Sequence, residues 1–257
     1  MKIIVCIKSV VTAAQEDRVN RAPGLMELNP FDRPALEAAL RLKDERGAEV
    51  IALSMGPAAA GPGLLDAVGL GADRAVLLSD RAFAGADTLA TSTVLAAGLS
   101  RLAPFDLVVF GTRTADSDTG QVGPQVAARL GLPFIGSVVK LETIGGKIFA
   151  ERRVDGFIEN YEAAFPAAIS IHAGFGVCRD LGLYGLADAW AGERVETLGL
   201  TDLGLDPATV GEAGSPTRVL SMKKVPRDHR CEFIKGSAAE QAEELTRRLI
   251  EKGLLRS

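Results

Sequence analysis

Apolar positions along this chain fall into two rhythms. The runs Ile3–Ile7, Glu49–Ser54, Ala75–Leu78 and Asp106–Phe110 are apolar almost without alternation, as strands covered on both faces should be. Each is followed by a helix-like stretch, the βα alternation of a parallel sheet with helices on both sides. Helix ends are readable too. Asn29-Pro30-Phe31-Asp32 opens one helix, with Leu36, Ala39 and Leu40 on one face and Gly47 as its stop. A second helix runs from Asp87-Thr88 to about Arg101, and a third starts around Gln121–Pro124 and stops at Gly131.

Beyond residue 133 the rhythm changes. Val138–Leu141, the Gly145-Gly146 turn and Ile148–Arg152 read as a β-hairpin that extends the sheet antiparallel, and Ala167–His172 reads as a further strand. From Gly174 to about Pro226 no period is sustained, which suggests an arm lying on another surface. A closing amphipathic helix runs to about Lys252, with Ser237 and Glu240 spaced as a capping box and Ala242, Leu245, Leu249 and Ile250 apolar. The expected fold class is therefore α/β, a doubly wound, mostly parallel sheet with an antiparallel hairpin extension and a C-terminal arm.

Composition narrows the function. With 257 residues, 47% hydrophobic and 24% charged, the chain has the make-up of a globular protein with one main domain. A net charge of -4 with mixed signs provides no basic field for nucleic acid. Cys6, Cys178 and Cys231 lack paired or CxxC spacing, so no disulfide framework, iron–sulfur cluster or metal site is expected and a reducing, cytoplasmic compartment fits. The apolar run of the N-terminus is too short for a signal peptide or a membrane span and reads as a buried strand.

The densest polar cluster, Gly111 to Pro124, lies between the fourth strand and its helix, outside the carboxyl end of the sheet where ligands of open α/β folds bind. Gly120, Gln121, Val122 and Gly123 offer helix-start N–H groups to a phosphate, and Thr119 a hydroxyl. The plainer alternative is that Asp116, Ser117 and Asp118 only cap and turn the chain. Neither a P-loop nor a Gly-x-Gly-x-x-Gly after the first strand is present. His172 and His229 stand without a second ligand or nucleophile, Cys6 reads as a small core residue, and no catalytic triad or Cys/His pair is visible.

Five segments, Ile4–Lys8, Leu28–Asp32, Ser54–Pro57, Gly71–Ala75 and Asp116–Pro124, stand in the order and spacing of the electron-transfer flavoprotein β subunit, which this chain resembles over roughly its first 170 residues; Gly214–Thr217 also looks like that family. The resemblance implies an adenine-nucleotide α-hydrolase-like fold, with residues 1–173 as the nucleotide- or flavin-binding domain. Residues 174–257 would form a recognition-loop region, arm and closing helix that pack on the partner. It further implies a heterodimer with an FAD-carrying α subunit, passing electrons between NADH or an acyl-CoA dehydrogenase and a downstream acceptor. By resemblance Cys6, Ile7 and Lys8 line the adenine side, Asn29 and Asp32 lie near the nucleotide, Met55-Gly56 closes over it, and Thr119 to Gly123 take the phosphates. Gly111, Arg113 and Asp116 belong to the same loop. Without the resemblance, Asn29 is a helix N-cap and Gly56-Pro57 a turn.

The segment Asp80–Ser92 resembles electron-bifurcating members, whose β site holds a second FAD in place of AMP. This implies Thr88 and Thr91 as diphosphate donors and Asp87 as a flavin acceptor; the alternative is an Asp/Thr helix start. Departures stand beside the likeness: Gly111-Thr112-Arg113-Thr114-Ala115-Asp116 replaces the usual Gly-Arg-Gln-Ala-Ile-Asp, and Val177–Tyr184 stands where Pro-Arg-Tyr is usual. Leu183, Leu186 and Trp190 are the candidate partner-binding anchors, with packing of Trp190 against the α subunit the alternative. Two rival readings stay open: a β subunit with purely structural AMP, and a stand-alone adenine-nucleotide module like universal stress proteins.

Overall fold

The structure is a computed structural model describing residues 1–11, 26–221 and 231–255, so His229 and Pro226 lie outside the described residues. Contacts divide the chain into two compact units, Met1–Leu220 and Ser221–Ser257.

The first unit is built on a nine-stranded sheet. Its strands are β1 (Lys2–Cys6), β4 (Glu49–Met55), β5 (Arg74–Leu78), β6 (Leu107–Gly111), β7 (Phe134–Ile144), β8 (Lys147–Val154), β9 (Phe157–Ala164), β10 (Ala167–Ile171) and β11 (Val195–Leu198), in the spatial order β11-β5-β4-β1-β6-β10-β7-β8-β9. A separate two-stranded sheet pairs β2 (Ser9–Val11) with β3 (Met26–Leu28). The helices are α1 (Arg33–Arg46), α2 (Gly61–Leu70), α3 (Thr88–Arg101), α4 (Val122–Leu130) and α5 (Leu183–Ala189). All pairings from β11 to β7 are parallel, and β7-β8-β9 continue antiparallel, so the expected fold class holds.

Burial on both faces explains the runs without alternation. Ile3 and Val5 of β1 point into one core with Leu36, Leu40, Val50, Leu64 and Val109, while Ile4 and Cys6 point into another with Ile51, Leu53, Val94, Leu99 and Val108. Helix α1 ends as predicted, at Gly47 in the left-handed region (φ 67°).

Two stretches carry more order than the sequence pattern suggested. The hairpin is a three-stranded extension, because β9 pairs along the whole length of β8. Residues 174–220, expected as an arm without period, add β11 in parallel beside β5 and bury Leu198 and Val210 in the second core. Their burial rests on single residues in short pieces, which leaves no period to read. The second unit contains α6 (Ala238–Glu251), which starts with the expected capping box of Ser237 and Glu240.

Candidate functional site

From β1 the chain steps outward to β4 and β5 on one side, then returns to place β6 on the other side of β1. The carboxyl ends of β1 and β6 thus flank the point where the direction of winding reverses, and the loops leaving them cannot cover it. Three segments meet there: Ile7–Ser9 after β1, Asn29–Asp32 before α1, and Gly111–Asp118 after β6.

They are held together by hydrogen bonds over long sequence separations. Asp32 is buried, with 4% exposure, and accepts the Lys8 backbone N–H at 2.7 Å. The Lys8 ammonium reaches the Asp116 carboxylate at 2.5 Å. The Asn29 side chain donates to the Arg113 carbonyl at 3.0 Å and accepts the Ala115 N–H at 3.1 Å, so it bridges loops instead of capping α1. Asp32 stands at the N-cap position of α1, yet its carboxylate makes no capping bond. Arg113 lays its guanidinium 4.5 Å over the ring of Phe31 and lies 3.6 Å from Asp118. A β-carbon at Gly111 would lie 2.1 Å from an Asp32 oxygen, which makes glycine a requirement of this junction.

Electrostatics follow from burial. Loss of solvent pushes the Asp32 carboxyl up to about 7, although the Lys8 N–H, Asn29 and the Lys8 charge favour its anion. Burial, with the nearby Asp32 charge, also pushes the Cys6 thiol up, so it stays protonated. At Asp116 partial burial is outweighed by the Lys8 ammonium and Thr114, which bring it down to about 2.

Two helix N-termini lie beside these loops and differ in their capping. At α3 the Asp87 carboxylate accepts the N–H groups of Leu89 and Ala90 at 2.9 and 3.0 Å. Its other oxygen accepts Thr217 N–H at 3.2 Å. At α4 no side chain caps the helix, and the N-cap residue is Gln121. Pro124 has no N–H, so the free donors of this first turn are the N–H groups of Val122 and Gly123, which no side chain caps. Thr88 joins the two ends, donating to Gln121 Oε1 at 3.0 Å and accepting from Gln125 at 3.3 Å. Gly123 is buried, whereas Thr119, Gly120 and Gln121 are exposed; Thr91 is half-buried in the first turn of α3.

Ile7 donates its N–H to the Leu53 carbonyl at 2.8 Å, tying the exits of β1 and β4. Met55 ends β4 and packs on the second core, and Gly56 turns the chain with its N–H on Leu78. Leu183, Leu186 and Trp190 sit on or just after α5, outside the crevice, with exposures of 84, 39 and 56%. Sequence reasoning missed Phe31 under Arg113, Gln125 beside Thr88, and Ser215, whose hydroxyl accepts the Asp87 N–H at 2.8 Å. Only the Gly214–Thr217 likeness could have flagged the last. Among the described residues no helix is long and apolar enough to cross a membrane.

A model of the electron transfer flavoprotein domain matches residues 19–178. The electron transfer flavoprotein subunit beta of Clostridium acetobutylicum is 39% identical over 226 residues, 85% of this chain and 86% of that protein. The caffeyl-CoA reductase-Etf complex subunit CarD of Acetobacterium woodii is 37% identical over 264 residues, covering 99% of this chain and all of that one. The acryloyl-CoA reductase electron transfer subunit gamma of Anaerotignum propionicum is 31% identical with 99% of this chain covered. Matched by the family model over more than half its length, and by relatives above 30% identity along nearly all of it, the chain belongs to the electron transfer flavoprotein family, as a β subunit.

Proposed function

We propose that this β subunit binds an adenine nucleotide, FAD or else AMP, at the β1–β6 crevice and works as one half of a heterodimer whose α subunit carries the electron-exchanging FAD. The observation that carries this reading is the uncapped N-terminus of α4 beside three hydrogen-bonded loops at the winding reversal. Cys6 to Lys8 and Asn29 to Asp32 form the adenine side, Met55-Gly56 the cover, and Thr119 to Gly123 the phosphate grip. When bound, a flavin supplies the redox chemistry; the chain binds and orients it and limits water.

FAD is favoured over AMP by one feature: Thr88 hydrogen-bonds to Gln121, setting the starts of α3 and α4 side by side, where Thr88 and Thr91 can serve a diphosphate longer than AMP carries. Asp87 acts here chiefly by holding α3 and residues 215–217 in place, since both carboxylate oxygens are already engaged. The exposed Leu183, Leu186 and Trp190 form the docking surface for a flavin dehydrogenase of the acyl-CoA type, a reading supported by the caffeyl-CoA and acryloyl-CoA reductase systems to which the two relatives belong. The closing helix α6 packs on the α subunit. Electrons then pass between NADH or the dehydrogenase and a downstream acceptor.

The test is to purify the chain with its α subunit and count released nucleotides. Two FAD per heterodimer supports the bifurcating form, and one FAD with one AMP makes the chain a single-flavin carrier. A heterodimer with no nucleotide beyond the α-subunit FAD removes the crevice as a binding site.

A further inference from the structure

After β10 the chain crosses α1 before it reaches the exposed apolar residues around α5, and that crossing is fastened by an ionic network centred on one buried carboxylate. Glu37 of α1 has a side chain only 7% exposed. One carboxylate oxygen accepts Arg41 Nε at 2.8 Å; the other accepts Arg179 twice, from its backbone N–H at 3.1 Å and its Nε at 2.9 Å. Arg179 also donates to Asp44 at 2.7 Å, and Arg41 to the Val177 carbonyl at 2.8 Å. Arg33 reaches the Arg179 carbonyl and the Asp180 carboxylate, each at 3.4 Å. Residues 33, 37, 41 and 44 lie along one stripe of α1, so a single helix face grips the whole crossing. Burial disfavours the Glu37 anion, but the two guanidinium groups outweigh it and hold the carboxyl below its usual range.

Immediately beyond this grip the chain exposes Leu183, Tyr184 and Trp190, at 84, 95 and 56%. A second anchor lies at α2, where Gly185 approaches so closely that a β-carbon would sit 2.2 Å from the Gly69 carbonyl oxygen. Helix α5 has seven residues, too few to persist without such support. Lifting the crossing from α1 takes the Arg179 guanidinium from the buried Glu37 carboxylate and leaves that charge short of a partner, which is costly.

We infer that Glu37, with Arg179, is a positioning residue for partner docking: the clamp fixes residues 177–190 before a redox partner arrives, so that the partner does not have to order this surface as it binds. The inference rests on the reading of Leu183 and Trp190 as docking anchors.

The test uses the purified αβ complex with Glu37→Ala and Arg179→Ala, and Arg41→Ala as a milder variant that keeps Glu37 paired with Arg179. The first readout is hydrogen exchange. Amides of residues 177–190 should exchange about tenfold faster or more in the clamp variants, while residues 111–123 and the nucleotide content stay as in the parent. The second is electron transfer with an acyl-CoA dehydrogenase reduced by its acyl-CoA substrate. KM for the dehydrogenase should rise about tenfold with kcat nearly unchanged, and Arg179→Lys should recover part of the loss. Unchanged exchange in both clamp variants overturns the inference. So does an unchanged KM when Leu183→Ala and Trp190→Ala raise it, since the surface then works without the clamp. If Leu183→Ala and Trp190→Ala themselves leave KM unchanged while exchange still accelerates, the docking reading fails and the clamp stands only as a fastening of the loop.

Discussion

Asp32 concentrates the physics of this chain in one carboxyl. It is buried at 4% exposure, takes the Lys8 N–H, and lies so close to Gly111 that no larger residue fits there. Burial raises its pKa from 3.8 to about 7, so between those values the folded chain holds a proton that the unfolded chain has lost. Its contribution to stability is fully present below about pH 4 and is lost as pH rises through 7. The loss is on the order of 4 kcal/mol between pH 4 and pH 8. Asp32→Asn keeps an oxygen for the Lys8 N–H and removes the titration. Denaturant unfolding of the chain and the variant across this range should therefore show the parent losing stability relative to Asp32→Asn as pH rises. Parallel pH profiles would mean that the carboxyl titrates as an ordinary one. Nothing in the segment Asn29–Asp32 signals this from the sequence, where an Asn-Pro-Phe-Asp run before an apolar period reads as a helix start. The helix is there, but both polar side chains face the β1 and β6 loops, 24 to 86 residues away in sequence.

At the scale of elements, the two neighbouring helix starts divide the labour. Asp87 closes the start of α3 and fastens residues 215–217 to it, whereas no side chain caps α4. Partial burial opposes the Asp87 anion, yet the N–H groups it accepts bring its carboxyl below the usual range. Asp87→Ala should cost about 1–2 kcal/mol, the measure of a lost cap. It should also expose residues 211–217 to faster proteolysis, which a loss of stability with unchanged cleavage there would refute. The elements themselves were legible where one rhythm ran long enough: β1, β4, β5, β6, α1 and α3 stand within a residue or two of their predicted bounds. β9 and β11 were not. β9 carries mixed polar and apolar residues on an exposed sheet edge, and β11 is four residues in a Gly-rich stretch, so neither leaves a period to detect.

For the whole molecule, the sheet order does what no local pattern announces: it brings loops distant in sequence to the reversal between β1 and β6. The helix start at Thr119–Gly123 was legible because it follows a buried strand, and the sequence left open whether it grips a phosphate or only turns the chain. An adenine side formed by Cys6–Lys8 and Asn29–Asp32 is implied only by the family resemblance. This division gives a measurable consequence. If the α4 start contributes binding through a phosphate, AMP should stabilise the nucleotide-free chain by about 2.7 kcal/mol at a hundred times its Kd. Adenosine, at the same concentration, should do far less, because it fills the adenine side and leaves the helix N–H groups without an anion. Thermal unfolding of the chain with AMP, adenosine and inorganic phosphate separates the terms. Equal shifts with AMP and adenosine would remove α4 from the site. A shift with AMP alone would place both halves of the nucleotide in one crevice, the adenine against the loops that Asp32 joins and the phosphate at the helix that no side chain caps.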